Sequence, residues 1–133
     1  MIYNIALAEQ FFTATATGDR RLLGKICDPA FQGKQNNGPT ISIEELANYS
    51  LLVLSRVQDF RYENVVRAST DKGFVEEHDV CCSLNDQTEF RLSVCVVADV
   101  VNNKIVSVRE YADSRAAKKL IDAISKDVSP ATG

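Results

Sequence analysis

The stretch FVEEHDVCCSL, residues 74–84, gathers the chain's single histidine with three carboxylates and two cysteines. His78 follows Glu76 and Glu77 and precedes Asp79. An imidazole titrates near neutrality, so His78 suits general acid/base work or hydrogen bonding to a substrate. The same residue could instead be a core histidine satisfied by a neighbour. A zinc-type site needs three or four converging His, Cys or carboxylate ligands. With one histidine, and Glu77 and Asp79 on the other side of an alternating strand, no metal site is expected. Cys81 and Cys82 are sequence neighbours, so a regular strand sends them to opposite faces.

The alternation that divides this stretch comes from a strand. Phe74, Glu76, His78, Val80, Cys82 and Leu84 share one face. Val75, Glu77, Asp79, Cys81 and Ser83 share the other. The first set is more apolar and should face the core. In DFRYENVVRA, residues 59–68, Phe60, Tyr62 and Val66 have one parity. Tyr62 and Asn64 are therefore candidate cavity residues beside Glu76 and His78. In EFRLSVCVVADV, Phe90, Leu92, Val94, Val96 and Ala98 define an inner face. The segment IVSVREYAD alternates poorly, because Val106, Val108 and Ala112 compete with Ile105 and Tyr111, and a β-bulge is expected there. Turns fall at Asn85-Asp86-Gln87 and Asn102-Asn103.

Helices should precede this sheet. Ile5, Ala8, Phe12 and Ala16 recur at helical spacing, broadened by Leu7 and Phe11. Gly18 stops that helix, and Asp19 caps a shorter one carrying Leu22, Leu23 and Ile26. Residues 32–40 read as a polar loop. Ser42 and Glu45 form a capping box before a third helix with Leu46, Val53, Leu54 and Val57. A closing helix begins at Ser114, with Ala117, Leu120, Ile121 and Ile124 apolar. Helices followed by an antiparallel meander make an α+β domain. Residues 1–127 should form one domain, with 128–133 a flexible tail.

The chain has 133 residues, 45% hydrophobic and 25% charged, with a formal charge of −3. One domain of this size can bury its own core. The negative balance and the lack of a Lys/Arg run argue against nucleic acid as a partner. No apolar run is long enough to span a membrane. MIYNIALAEQFF lacks a basic start and carries Glu9, which argues against a signal peptide. Four cysteines without CxxC spacing read as reduced small hydrophobes in a cytoplasmic protein.

Taken together, FFTATATGDRRLLGKICDPAF, GFVEEHDV and NNKIVSVREYADS resemble the nuclear transport factor 2-like superfamily, in its SnoaL-like or ketosteroid isomerase-like branch. The family often writes its final strand as Gly-Lys-Ile followed by Glu-Tyr-x-Asp. Here these are Asn103-Lys104-Ile105 and Glu110-Tyr111-Ala112-Asp113. The resemblance implies a cystatin-like, cone-shaped barrel, in which a curved antiparallel sheet wraps around N-terminal helices and leaves a pocket. It implies a small hydrophobic organic ligand, homodimers through the outer sheet face, and cofactor-free isomerase, cyclase, hydrolase or dehydratase chemistry. It also covers members without chemistry, so a binding or dimerisation module is the alternative. In resembling enzymes an aspartate late on the last strand is the acid/base, which points to Asp113 with His78 as the catalytic pair. Tyr111 shares a face with Asp113 on a regular strand and would join the pocket. Asp113 could equally cap the helix that begins at Ser114. The strand holding His78 lacks the arginine of limonene-type epoxide hydrolases. Phe11 and Phe12 stand where a steroid isomerase would want a hydroxyl.

Overall fold

A computed structural model describes residues 2–126. Two helices come first, α1 (Ile2–Thr17) and α2 (Arg20–Ile26). Gly18 separates them with φ +72, and a Cβ there would lie 2.8 Å from Leu51 Cδ2, so the helix end packs closely on the third helix. Asp19 caps α2 by accepting the Leu22 N–H at 3.0 Å. Strand β1 (Cys27–Gln35) leads to α3 (Ile43–Arg56). The capping box that starts α3 is complete: Glu45 N–H donates to Ser42 Oγ at 3.1 Å, and Ser42 N–H donates to Glu45 Oε1 at 2.8 Å. Then come β2 (Gln58–Ser69), β3 (Gly73–Ser83), β4 (Glu89–Val101), β5 (Lys104–Ala112) and α4 (Ser114–Lys126).

The five strands lie in the order β1-β5-β4-β3-β2. Strands β2 to β5 form the expected antiparallel meander, but β1 runs parallel to β5, so the sheet is mixed rather than purely antiparallel, and open. Residues 32–35 of the expected loop belong to β1. Its inward positions include Phe31 and Gly33. A glycine carries no hydrophobic signal, and Pro29 lies within the irregular register between Cys27 and Gln32. The expected tail, 128–133, lies outside the described residues.

The core forms where α1, α2 and α3 cover the inner sheet face. Leu7, Ala8, Phe11 and Phe12 of α1 meet Phe74 and Val80 of β3 and the buried Phe90, Leu92, Val94, Val96 and Ala98 of β4. The β4 alternation is the one its sequence predicts.

Bulges on β2 and β5 reset which side chains face inward, and β2 has a further register shift between Gln58 and Arg61. On β5, Val100 pairs with Ile105 but Asp99 pairs with Ser107, so Val106 is extra. On β2, Glu63 pairs with Asp79 but Val66 pairs with Glu77, so one extra residue lies between them. Asn64 takes φ 55 at that bulge. Phe60 and Tyr62 stay on the inner side, but Val66, expected inside, is 63% exposed. Beyond the bulge Arg67 takes the inner parity, opposite Glu76.

Candidate functional site

Between the helices and the concave sheet face lies a cavity of about 510 Å³, a volume suited to a small organic molecule. Its lining is mostly apolar, with Phe11, Phe31, Val80, Leu92, Val94 and Val96 contributing. The polar side chains reaching it include His78, Tyr62, Tyr49, Thr15 and Glu110. Helix α4 closes part of it with Ala117, Leu120 and Ile121.

His78 lies on the predicted inner face and is 1% exposed. Its ring sits against Phe12, 4.9 Å between centroids and edge-on, and against Tyr62, 4.4 Å away. Nδ1 is 2.7 Å from Glu76 Oε2. Glu76, also 1% exposed, accepts the Arg67 Nε–H on its other oxygen at 2.6 Å. Glu76 thus faces inward as expected, but it supports the histidine and does not line the cavity. Tyr62 does line the cavity. Its hydroxyl is 2.7 Å from Thr15 Oγ1, and burial pushes its pKa upward.

Three expected site residues lie elsewhere. Asn64 is turned to the outer face by the β2 bulge, where its Nδ2 donates to Asp79 Oδ2 at 2.9 Å. Tyr111 is 45% exposed and pairs with Cys95 on the outward side. Asp113 is exposed and caps α4, accepting the Arg115 N–H at 2.9 Å and the Ala116 N–H at 3.4 Å. Asp113 and Tyr111 do not line the cavity. The β5 bulge is the cause. Carrying the Asn102-Asn103 register straight along would set Tyr111 opposite Val94, on the inner face. The extra Val106 instead sets Glu110 opposite Val96 and Ala112 opposite Val94.

Glu110 is therefore the inward carboxylate that sequence parity misses. Its Oε1 accepts from Gln35 Nε2 at 2.6 Å, across the parallel β1–β5 pair. Glu110 lines the cavity and is half-buried. Burial raises its pKa, opposed by the Gln35 hydrogen bond and by His78. Nearby, burial and the charge of Glu110 raise the pKa of Tyr49. His78 and Glu110 stand on strands that flank β4, one paired to Val94 and the other to Val96. Both line the same cavity. The poor alternation of β5 was the available signal for Glu110; Arg67 gave none, because its parity depends on the β2 bulge.

The outer face carries satisfied charge instead. Arg91 bridges Glu63 at 2.8 Å and Asp79 at 2.9 Å, and Arg61 holds Glu63 at 2.6 Å. Glu77 and Asp79, the other acids of the opening stretch, belong to this side. Among the described residues no three His, Cys, Asp or Glu side chains gather as metal ligands.

This arrangement, an open curved sheet wrapped on helices around an apolar cavity, is the nuclear transport factor 2-like fold. Solved structures share it. PrhC from Penicillium brasilianum matches with a TM-score of 0.78 at 11% identity, covering 94% of this chain and 89% of that one. A nuclear transport factor 2-like protein from Burkholderia xenovorans gives 0.76 at 16% identity, covering 90% and 96%. A protein assigned as a polyketide cyclase, from Xanthomonas campestris, gives 0.74 at 15% identity, covering 92% and 96%. No family model matches the sequence, and no curated protein matches it. At these identities the likeness is one of fold.

Proposed function

We propose that this protein binds a small, largely hydrophobic organic molecule in the cavity and moves a proton on it without a cofactor, as an isomerase, cyclase, hydrolase or dehydratase would. The observation that carries this reading is the pairing of His78 with Glu110 around one apolar space. Two titratable groups in unlike surroundings can take opposite roles in one reaction. Glu110, with its raised pKa, supplies a proton. His78, backed by a carboxylate, accepts one. Tyr49 offers a hydroxyl to a polar group of the substrate. The polyketide cyclase assignment of the Xanthomonas neighbour supports a cyclase among these reaction types. Glu110 thereby replaces Asp113 in the catalytic pair.

Free cysteines at Cys27, Cys81, Cys82 and Cys95 support work in the cytoplasm. Among the described residues no helix is long and apolar enough to cross a membrane. Pairing of two copies through the outer sheet face belongs to the same proposal, supported by exposed Val66 and Tyr111.

The test begins with native mass spectrometry of the purified protein, to identify a carried-over molecule. That molecule, and a panel of β,γ-unsaturated cyclic ketones as proton-transfer probes, are then followed for turnover. Loss of turnover in His78→Ala and in Glu110→Gln, with binding retained, is the expected result. A ligand that binds in the cavity and leaves unchanged would make the protein a binding module instead.

A further inference from the structure

We infer that Glu76, anchored by Arg67, is a positioning residue that keeps the His78 proton on Nδ1 and turns the Nε2 lone pair into the cavity. This deepens the proposal above and rests on its assignment of His78 as the proton acceptor. Neither Glu76 nor Arg67 lines the cavity, so neither would touch a bound molecule.

The chain of contacts is short and closed. Glu76 uses one oxygen for Arg67 Nε, at 2.6 Å, and the other for His78 Nδ1, at 2.7 Å. A carboxylate in an ion pair only accepts hydrogen bonds, so the proton between Oε2 and Nδ1 belongs to the ring. A neutral imidazole with its proton on Nδ1 has its lone pair on Nε2, the atom left for a cavity occupant. Phe12 and Tyr62 pack on the ring, so it cannot turn over without breaking those contacts as well as the Glu76 bond. With no side-chain exposure on Glu76, its charge is held by its two partners rather than by water. Arg67 reaches it only because the extra residue between Glu63 and Val66 reverses the parity of β2. A further approach of Arg67 to Glu9, at 3.9 Å with Glu9 75% exposed, is weak by comparison.

The chain has one histidine, so a ¹⁵N-labelled sample gives a single pair of imidazole nitrogen resonances. At pH 8 the intact protein should show Nδ1 in the protonated range and Nε2 in the unprotonated range. Glu76→Gln should shift both resonances toward the averaged values of a tautomer mixture. Arg67→Met should shift them the same way, and Arg67→Lys should restore them. A proton on Nε2 in the intact protein overturns the inference, whether or not the variants fold. Ring shifts unmoved in a folded Glu76→Gln protein also overturn it. No arm depends on turnover. Absence of any ligand or reaction would sink the functional reading while leaving the tautomer result intact, and the reverse outcome would leave a cavity without this device.

Discussion

Glu110 and the cysteines are where single side chains give measurable consequences. Because burial raises the Glu110 pKa, the folded state holds that proton to higher pH than the unfolded chain does. Its contribution to stability is therefore present at low pH and lost as pH rises from the ordinary carboxylate range through the folded value. Urea unfolding at pH 4 and pH 8 should show the wild type losing stability relative to Glu110→Gln across that interval. An unchanged difference would mean that the carboxyl is not protonated on folding. The thiols should divide by burial. Cys27 is pushed up to about 12 and Cys82 to about 11, both by burial, whereas Cys95 is exposed. In the separated single chain a thiol-reactive dye should label Cys95 promptly, and the buried cysteines only as the protein unfolds.

At the scale of elements, the ends and irregularities of helices and strands carry the information. Asp113 satisfies two N–H groups at the start of α4. Asp113→Ala should cost about 1 kcal/mol, seen in a thermal melt, and leave cavity binding intact. Loss of binding with α4 still folded would return Asp113 to the site. Gly73 begins β3 because a Cβ there would lie 2.1 Å from the Ala98 carbonyl oxygen, in the partner strand's backbone. Gly73→Ala should destabilise by about 3 kcal/mol in chemical denaturation, since backbone rather than a flexible side chain must move. The β2 and β5 bulges act in the same way as each other: each reverses inside and outside for the residues beyond it. One brings Arg67 to Glu76, and the other brings Glu110 to the cavity in place of Tyr111.

For the whole molecule, the two sheet faces have separate work. The inner face spends its apolar residues on the core and the cavity. The outer face is laced with ion pairs around Arg61 and Arg91, and Val66 and Tyr111 are among the exposed apolar points of the sheet. If two copies pair through this face, light scattering should give twice the chain mass, and Val66→Glu with Tyr111→Glu should halve it. A monomer in the unmodified protein would remove the sheet face as an interface.

The sequence by itself determined the four helices and strands β2 to β5, the α3 capping box, the β4 face and the inward pair of Glu76 and His78. These follow from local periodicity and turn chemistry, which a few neighbouring residues encode. The resemblance to nuclear transport factor 2-like proteins also pointed to the right fold. Strand β1 was illegible because its inner face offers Phe31 and then a glycine, and its pairing partner, β5, lies far along the chain. The composition of the site was decided only by tertiary structure. A bulge inserts one residue, leaves composition and local propensity unchanged, and still flips every side chain after it. Hence Asn64 looks inward when strands are counted as regular, and Tyr111 joins Asp113, which the family resemblance pointed to, while Arg67 and Glu110 are the residues that the folded sheet turns in. His78 was legible; the partners that give it a direction were not, because they meet it only across strands.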